Sequence, residues 1–456
     1  MEDVGGGRRP SGLGQLVSGT PQKVFLGRWT GITSAIACIG KFGKLWLDSN
    51  FPKLSVFKPP MDPITNPYAP GAGAQPHELA GRDGVREMVR IAIARVQAGR
   101  SAKSAMLVGL RGVGKTVLLD RMRLDAEASG VVTARIEAPE GRSLPSMLAP
   151  QLRIALLQLS RIEKAKDAGI RALRALAGFA KGLKFKFNDI EVGIDYEAEP
   201  GVADNGDLEH DMQALFERVG EAAQAADTAF VMFVDELQYV EEEELAALIT
   251  VMHRVAQRNL PVLLVGAGLP QLRGRMGEAK SYSERLFEFP DIGALAPEDA
   301  QNALLKPAAE NGVEFDNDAV QSILERTRGY PYFIQEWGSR CWNVAPRSPV
   351  QLGDVEGASV QVIAAMDEGF FRVRFDRMTV AEKKYLRAMA ALGPGPHRSG
   401  DIAEQLGRSV QAMAPVRSTI IGKGMIWSPS HGDTAFTVPL FDEFMRRIMP
   451  GEEWRR

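Results

Sequence analysis

Cysteine is nearly absent: Cys38 and Cys341 are the two in 456 residues. Two thiols build neither a disulfide framework nor a cysteine metal cluster. They read as buried thiols of a reducing compartment. Charge of one sign is also lacking, since 55 Lys and Arg against 57 Asp and Glu leave a net charge of −2. That excludes a globally basic nucleic-acid-binding surface and leaves room only for a local patch. Long hydrophobic runs are missing too. The longest apolar stretch near the start, residues 31–40, is far too short to cross a bilayer. Its surroundings lack the basic start and small-residue cleavage site of a secretion signal. The expectation is a cytoplasmic protein with no membrane contact.

What remains is ordinary globular composition, 45 % hydrophobic and 25 % charged, at a length that suits two or three domains. Residues 1–60 stand apart. They are Gly-rich, carry scattered aromatics and show no sustained period. We expect an extension that is poorly ordered or foreign to the native protein, with the ordered chain opening at Met61 in a Pro- and Gly-rich lead. From about 76 to 270, short apolar runs alternate with amphipathic segments. Residues 104–108, 131–136, 229–234 and 261–265 have the near-continuous apolar character of strands covered on both faces. Helices are expected at 86–98, 116–128, 208–225 and 242–258. This alternation predicts an α/β fold around a parallel sheet. Residues 140–211 read as an insertion: a long basic helix, a hairpin pairing 183–187 with 190–196, then an acidic loop. The chain turns mainly helical at 296–357, and a further unit begins near 358.

The sharpest motif is GLRGVGKT at 109–116. It follows an apolar run and opens an amphipathic segment. Gly109, Gly112 and Gly114 let the backbone fold tightly, so that amides around Arg111 and Val113 point inward at phosphate oxygens. The helix start adds its positive dipole end. Lys115 would reach the β- and γ-phosphates, and the Thr116 hydroxyl would ligate Mg²⁺. The second half of the motif is the apolar run that ends in Asp235 and Glu236. Asp235 would hold Mg²⁺ directly or through water, and Glu236 would orient the attacking water. The cofactors implied are ATP and Mg²⁺.

On these residues the chain resembles the AAA+ P-loop ATPases. More narrowly it resembles the AAA-16 and origin-recognition-like branch that borders on the STAND signalling ATPases. The resemblance implies a P-loop core at 61–295, a helical lid at 296–357 and a C-terminal winged helix-turn-helix at 358–456. Within it, residues 76–82 are similar to the loop that lies against adenine, and Pro331 matches the lid proline near the same base. Arg285 occupies the segment where such proteins carry an arginine finger, which acts on a neighbouring subunit and so implies a homo-oligomer. Many relatives have a polar sensor after the strand at 262–265. Here the residues are Gly266, Ala267 and Gly268, so slow hydrolysis is expected.

The C-terminal region reads as a capping box at Thr379 and Glu382, helices at 400–406 and 409–421, and a hairpin from 425–427 and 434–438. That layout suits a winged helix contacting double-stranded DNA through 399–438, with Arg408, Ser409, Gln411, Arg417, Ser418 and Lys423 as candidate contacts. The basic run at 153–186 reads as a solvated helix face rather than a phosphate-binding surface. The reading is thus a DNA-associated, ATP-dependent switch of the initiator or regulator kind. The alternatives are a STAND-like signalling switch and an ATPase helper of a transposition or defence system.

Overall fold

The computed structural model describes residues 61–71, 73–76, 79–183 and 196–455. The expected extension at 1–60 and the expected hairpin at 183–196 fall outside them, apart from Leu183 and Tyr196.

Five parallel strands form the core: β1 Ser104–Val108, β2 Val132–Glu137, β3 Phe230–Asp235, β4 Val262–Gly268 and β5 Phe287–Glu288. Their order across the sheet is β2-β3-β4-β1-β5. Every residue of β1, β3 and β4 is buried, as the unbroken apolar runs require of strands covered on both faces. The register pairs Val108 with Gly268, Val234 with Gly266 and Glu137 with Asp235. The ends of β1, β3 and β4 therefore lie along one carboxyl edge, where open α/β sheets place ligands.

One face of the sheet is covered by α1 Asp83–Gln97 and α2 Lys115–Ala128. The other is covered by α3 Leu144–Ser160, α4 Lys166–Leu183, α5 Leu208–Ala225 and α6 Glu242–Gln257. Leu156, Leu176 and Phe179 are fully buried in the same cluster as Met232 of β3. The segment read as an insertion is thus a structural layer. Arg171, Arg174 and Lys181 line the exposed face of α4. Side-chain caps set two of these helix starts. Asp207 accepts from the His210 amide at 2.8 Å and Ser143 from the Ser146 amide at 3.4 Å. Short helices α7 Leu272–Ala279 and α8 Ser283–Leu286 lead into β5.

The helical unit comprises α9 Pro297–Glu310, α10 Asn317–Thr327, α11 Pro331–Val344 and α12 Leu352–Ala365. Two expected boundaries shift. Residues 61–69 pack on this unit and not on the sheet: the Tyr68 hydroxyl donates to the Leu304 carbonyl at 2.6 Å, and the Trp342 indole donates to that of Asp62 at 2.9 Å. The division at 357/358 falls in the middle of α12. Val355, Ala358 and Val362 of that helix are fully buried in the apolar core that also takes in α9–α11 and the C-terminal elements.

A π-helical segment Met366–Phe371 and α13 Arg372–Asp376 lead onward. Next come α14 Val380–Ala391, β6 His397–Arg398, α15 Ser399–Gln405, α16 Val410–Gly422, β7 Ile426–Trp427, β8 Asp433–Phe436 and α17 Phe441–Ile448. Both halves of the capping box at Thr379 and Glu382 form. The last three strands make an antiparallel sheet in the order β6-β8-β7. Pro415 is the sixth residue of α16, past the free amides of its first turn, so the Gln411 carbonyl goes without its helical donor.

Candidate functional site

The loop between β1 and α2 is shaped by its glycines. Gly112 and Gly114 have φ of 80° and 87°, the left-handed region that side chains rarely adopt. Gly109 is required for space: a Cβ there would lie 2.1 Å from the Ile292 carbonyl oxygen. Lys115, the first residue of α2, folds its side chain back over the loop. Its Nζ donates to the carbonyls of Gly109 and Leu110, both at 2.9 Å. Burial pulls the ammonium down from 10.5 to about 8, against the opposing pull of Glu236 and Asp235. A desolvated ammonium held only by carbonyls is a strong receptor for an anion.

Asp235 is 2 % exposed at the end of β3. Burial raises its carboxyl above the usual range, opposed by hydrogen bonds from the Thr116 hydroxyl and the Glu236 amide. A hydroxyl and a carboxylate side by side are hard oxygen donors suited to Mg²⁺. Among the described residues no group of three His, Cys, Asp or Glu could hold a metal alone. Thr116 and Asp235 would therefore hold Mg²⁺ jointly with phosphate oxygens and water. Glu236 follows in a left-handed conformation, φ 56°. Its carboxylate accepts from the Gln238 amide and lies 3.9 Å from the Arg111 guanidinium. Arg111 also donates to the Tyr239 hydroxyl at 2.7 Å, while its buried Nε lacks a partner.

The strand end at Gly266–Gly268 carries no polar side chain, as expected, and has no room for one. A Cβ at Gly266 would lie 2.3 Å from Leu237 Cδ1 and 2.5 Å from Met106 Sδ. Gln238 fills the place instead. Its Oε1 accepts from the Leu269 amide at 3.0 Å while its amide nitrogen reaches Glu236. Nothing in the local pattern marked Gln238. Its role follows from the close approach of the 3₁₀ turn Leu237–Tyr239 to β4.

These groups open into a cavity of about 1010 Å³. On one side it is walled by Pro70, Pro76, Leu79, Leu295 and Pro331, so the structure brings the loop at 76–82 and Pro331 to the same pocket. His77 and Glu78 of that loop fall outside the described residues. Arg82 fastens the wall, donating to the carbonyls of Gly293 at 2.5 Å and Val113 at 3.3 Å. The other wall comes from the C-terminal third and includes Phe370, Arg374, Met378, Lys423 and Met425. Two backbone hydrogen bonds tie the loop to neighbouring units: the Arg111 amide donates to the Thr437 carbonyl at 3.0 Å, and the Tyr332 amide to that of Gly112 at 3.2 Å. Sequence reasoning missed this wall, because its residues lie more than 250 positions from the glycine loop.

Arg285 is not part of this assembly. It is exposed on α8, at the amino end of β1, and lines a separate cavity of about 480 Å³ with Arg95 and Lys103. Three of the six candidate DNA contacts are engaged internally, Ser409 by capping α16, where its Oγ accepts from the Ala412 amide at 3.3 Å. The Arg417 guanidinium donates to Thr434 Oγ1, Ser428 Oγ and the Asp433 carbonyl, each at 2.9 Å. Lys423 pairs with Glu382 at 2.8 Å. Arg408, Ser409, Gln411 and Ser418 are exposed.

Residues 78–265 match the family described as AAA ATPase domain. Residues 368–445 match a domain of unknown function. No curated protein matches the chain. Among solved structures it is similar to a Walker-type ATPase of Pyrococcus abyssi, at 12 % identity and a TM-score of 0.54, covering 86 % of this chain and 99 % of that one. The Aeropyrum pernix ORC1 protein in complex with DNA aligns at 17 % identity and a TM-score of 0.43, covering 82 % and 94 %. The Thermotoga maritima RuvB Holliday junction branch migration motor aligns at 16 % and 0.40, covering 80 % and 96 %. At 12 % identity the likeness to the first is one of fold. No helix among the described residues is long and apolar enough to cross a membrane.

Proposed function

We propose that this chain is an ATP-dependent switch whose AAA ATPase domain binds ATP·Mg²⁺ in the loop 109–116 and hydrolyses it slowly. The observation that carries the reading is the buried Lys115 ammonium. It has carbonyl partners only, faces the cavity and stands beside the Thr116–Asp235 oxygen pair. In this reading the amides from Gly112 to Thr116 cradle the β- and γ-phosphates, and Thr116 and Asp235 hold Mg²⁺. Glu236 orients water, and the wall of Pro331 and Leu79 receives the base. Arg285 lies at the far end of the sheet, so it serves only the site of a neighbouring subunit in a homo-oligomer.

The tie between the Arg111 amide and the Thr437 carbonyl supports the switch. A C-terminal unit anchored on the phosphate loop responds to whatever occupies that loop. Three helices packed with a three-stranded antiparallel sheet support reading the C-terminal unit, 358–456, as a winged helix. On that reading Arg408 and Ser409 just before α16, and Gln411 and Ser418 along it, contact double-stranded DNA. Equilibrium binding of a fluorescent ATP analogue to the full chain tests the site: Lys115→Ala abolishes binding, and retained affinity refutes it. An electrophoretic mobility shift with duplex DNA, with and without ATP, tests the second part. No shift in either state replaces DNA by a protein partner at the C-terminal unit.

A further inference from the structure

Gln335 carries a buried donor that the fold leaves open. It sits on α11, is 7 % exposed and lines the same cavity as the phosphate loop. Its Oε1 accepts from the Ala69 amide at 3.0 Å. A backbone N–H pairs with the oxygen of a side-chain amide and not with its nitrogen, so this bond fixes which way the amide faces. Among the described residues the Nε2 group makes no hydrogen bond. A buried amide donor without a partner destabilises the empty site, and an acceptor on a ligand relieves it.

The donor stands at the wall that receives the base. Pro331 opens α11 one turn before Gln335, on the same helix face. Ala69, the partner of Gln335, precedes Pro70 of that wall. Pro70, Pro76, Leu79, Leu295 and Pro331 have no polar side-chain group. They can cover the faces of a flat ring but cannot read its edge. Glu336 lines the cavity next to Gln335, but as a carboxylate it only accepts, and it already takes the Tyr332 hydroxyl at 2.9 Å. Arg82 is engaged by the Gly293 and Val113 carbonyls. The ring nitrogens of adenine are acceptors. A fixed donor suits them, and a carboxylate repels them. The Tyr68 hydroxyl, bonded to the Leu304 carbonyl at 2.6 Å, anchors the residue before Ala69. Gln335 has therefore lost its rotamer freedom before any ligand arrives, which favours tight and selective binding.

We propose that Gln335 reads the base: its Nε2 donates to one ring nitrogen of the adenine of ATP held in the loop 109–116. The inference rests on the nucleotide-site reading above. It assigns base recognition to one side chain of α11.

The test is equilibrium binding to the full chain, with Mg²⁺, of ATP and its three deaza analogues, in which CH replaces the ring nitrogen N1, N3 or N7. Wild type should bind one of the three roughly five- to fiftyfold more weakly than ATP, because that analogue leaves the buried donor unpaired. Gln335→Glu keeps the acceptor for Ala69 and puts an oxygen where the donor was. It should weaken ATP by a similar factor and bind that same analogue at least as tightly as ATP. A merely structural role would weaken ATP and all three analogues alike. Where Gln335→Glu does not fold, Gln335→Met takes its place, and the penalty for that analogue should shrink to within about twofold. Equal binding of ATP and all three analogues by wild type overturns the proposal and leaves the site intact. So does a variant that keeps the wild-type penalty. Failure of wild type to bind ATP, or retention of ATP by Lys115→Ala, overturns the site reading and this inference with it.

Discussion

Replacing Lys115 by Met should stabilise the nucleotide-free protein while removing nucleotide binding. The ammonium is buried, and burial moves it from 10.5 to about 8. That displacement corresponds to roughly 3 kcal/mol against the charged folded form. Methionine keeps the apolar stem and removes the charge. It also removes two hydrogen bonds, to Gly109 and Leu110, whose net worth is roughly 1–2 kcal/mol together. The balance is a gain of about 1–2 kcal/mol at pH 7. The pH dependence follows from the direction of the shift. Below pH 8 the lysine is protonated in both folded and unfolded chains, and the burial cost is fully present. Between 8 and 10.5 the folded chain releases its proton first, so the cost fades and the two proteins converge. Urea unfolding of nucleotide-free wild type and Lys115→Met at pH 7 and pH 9.5 measures this. A variant no more stable than wild type at pH 7, or a difference that widens with pH, would refute the reasoning.

Two further changes have outcomes fixed by the geometry. Gly109→Ala should destabilise the fold by about 2–4 kcal/mol, because its Cβ meets backbone at Ile292 that itself pairs with Val108; a wild-type melting temperature would contradict this. Arg417→Met should loosen the last sheet, since one guanidinium holds Thr434, Ser428 and Asp433. Hydrogen-exchange protection of residues 426–436 should fall in that variant and stay unchanged in Arg408→Ala.

How much was legible depended on the range of the interactions. The strands were visible because burial on both faces writes itself into consecutive residues, as in Phe230–Asp235. The glycine loop was visible because its backbone conformation admits few residue types. The end of the helical unit falls elsewhere than expected, because Val355, Ala358 and Val362 recur at helical spacing across residue 358 and share one buried face. Gln335 and Gln238 were illegible for another reason. Each is an ordinary polar residue on a helix or turn, and its significance comes from what the fold brings opposite it. The DNA candidates show the same limit, since Arg417 and Lys423 met partners that no local pattern reveals.

The crowding at the end of β4 bears on how this site can change over time. A side chain at Gly268 would press within 2.9 Å of Gln238 Oε1, and one at Gly266 would strike Leu237 and Met106. A polar side chain on this strand end therefore asks its neighbours to move first, Leu237 and Met106 at Gly266, and Leu272 and Gln238 at Gly268. Substitutions there are coupled to the packing of the turn that follows β3.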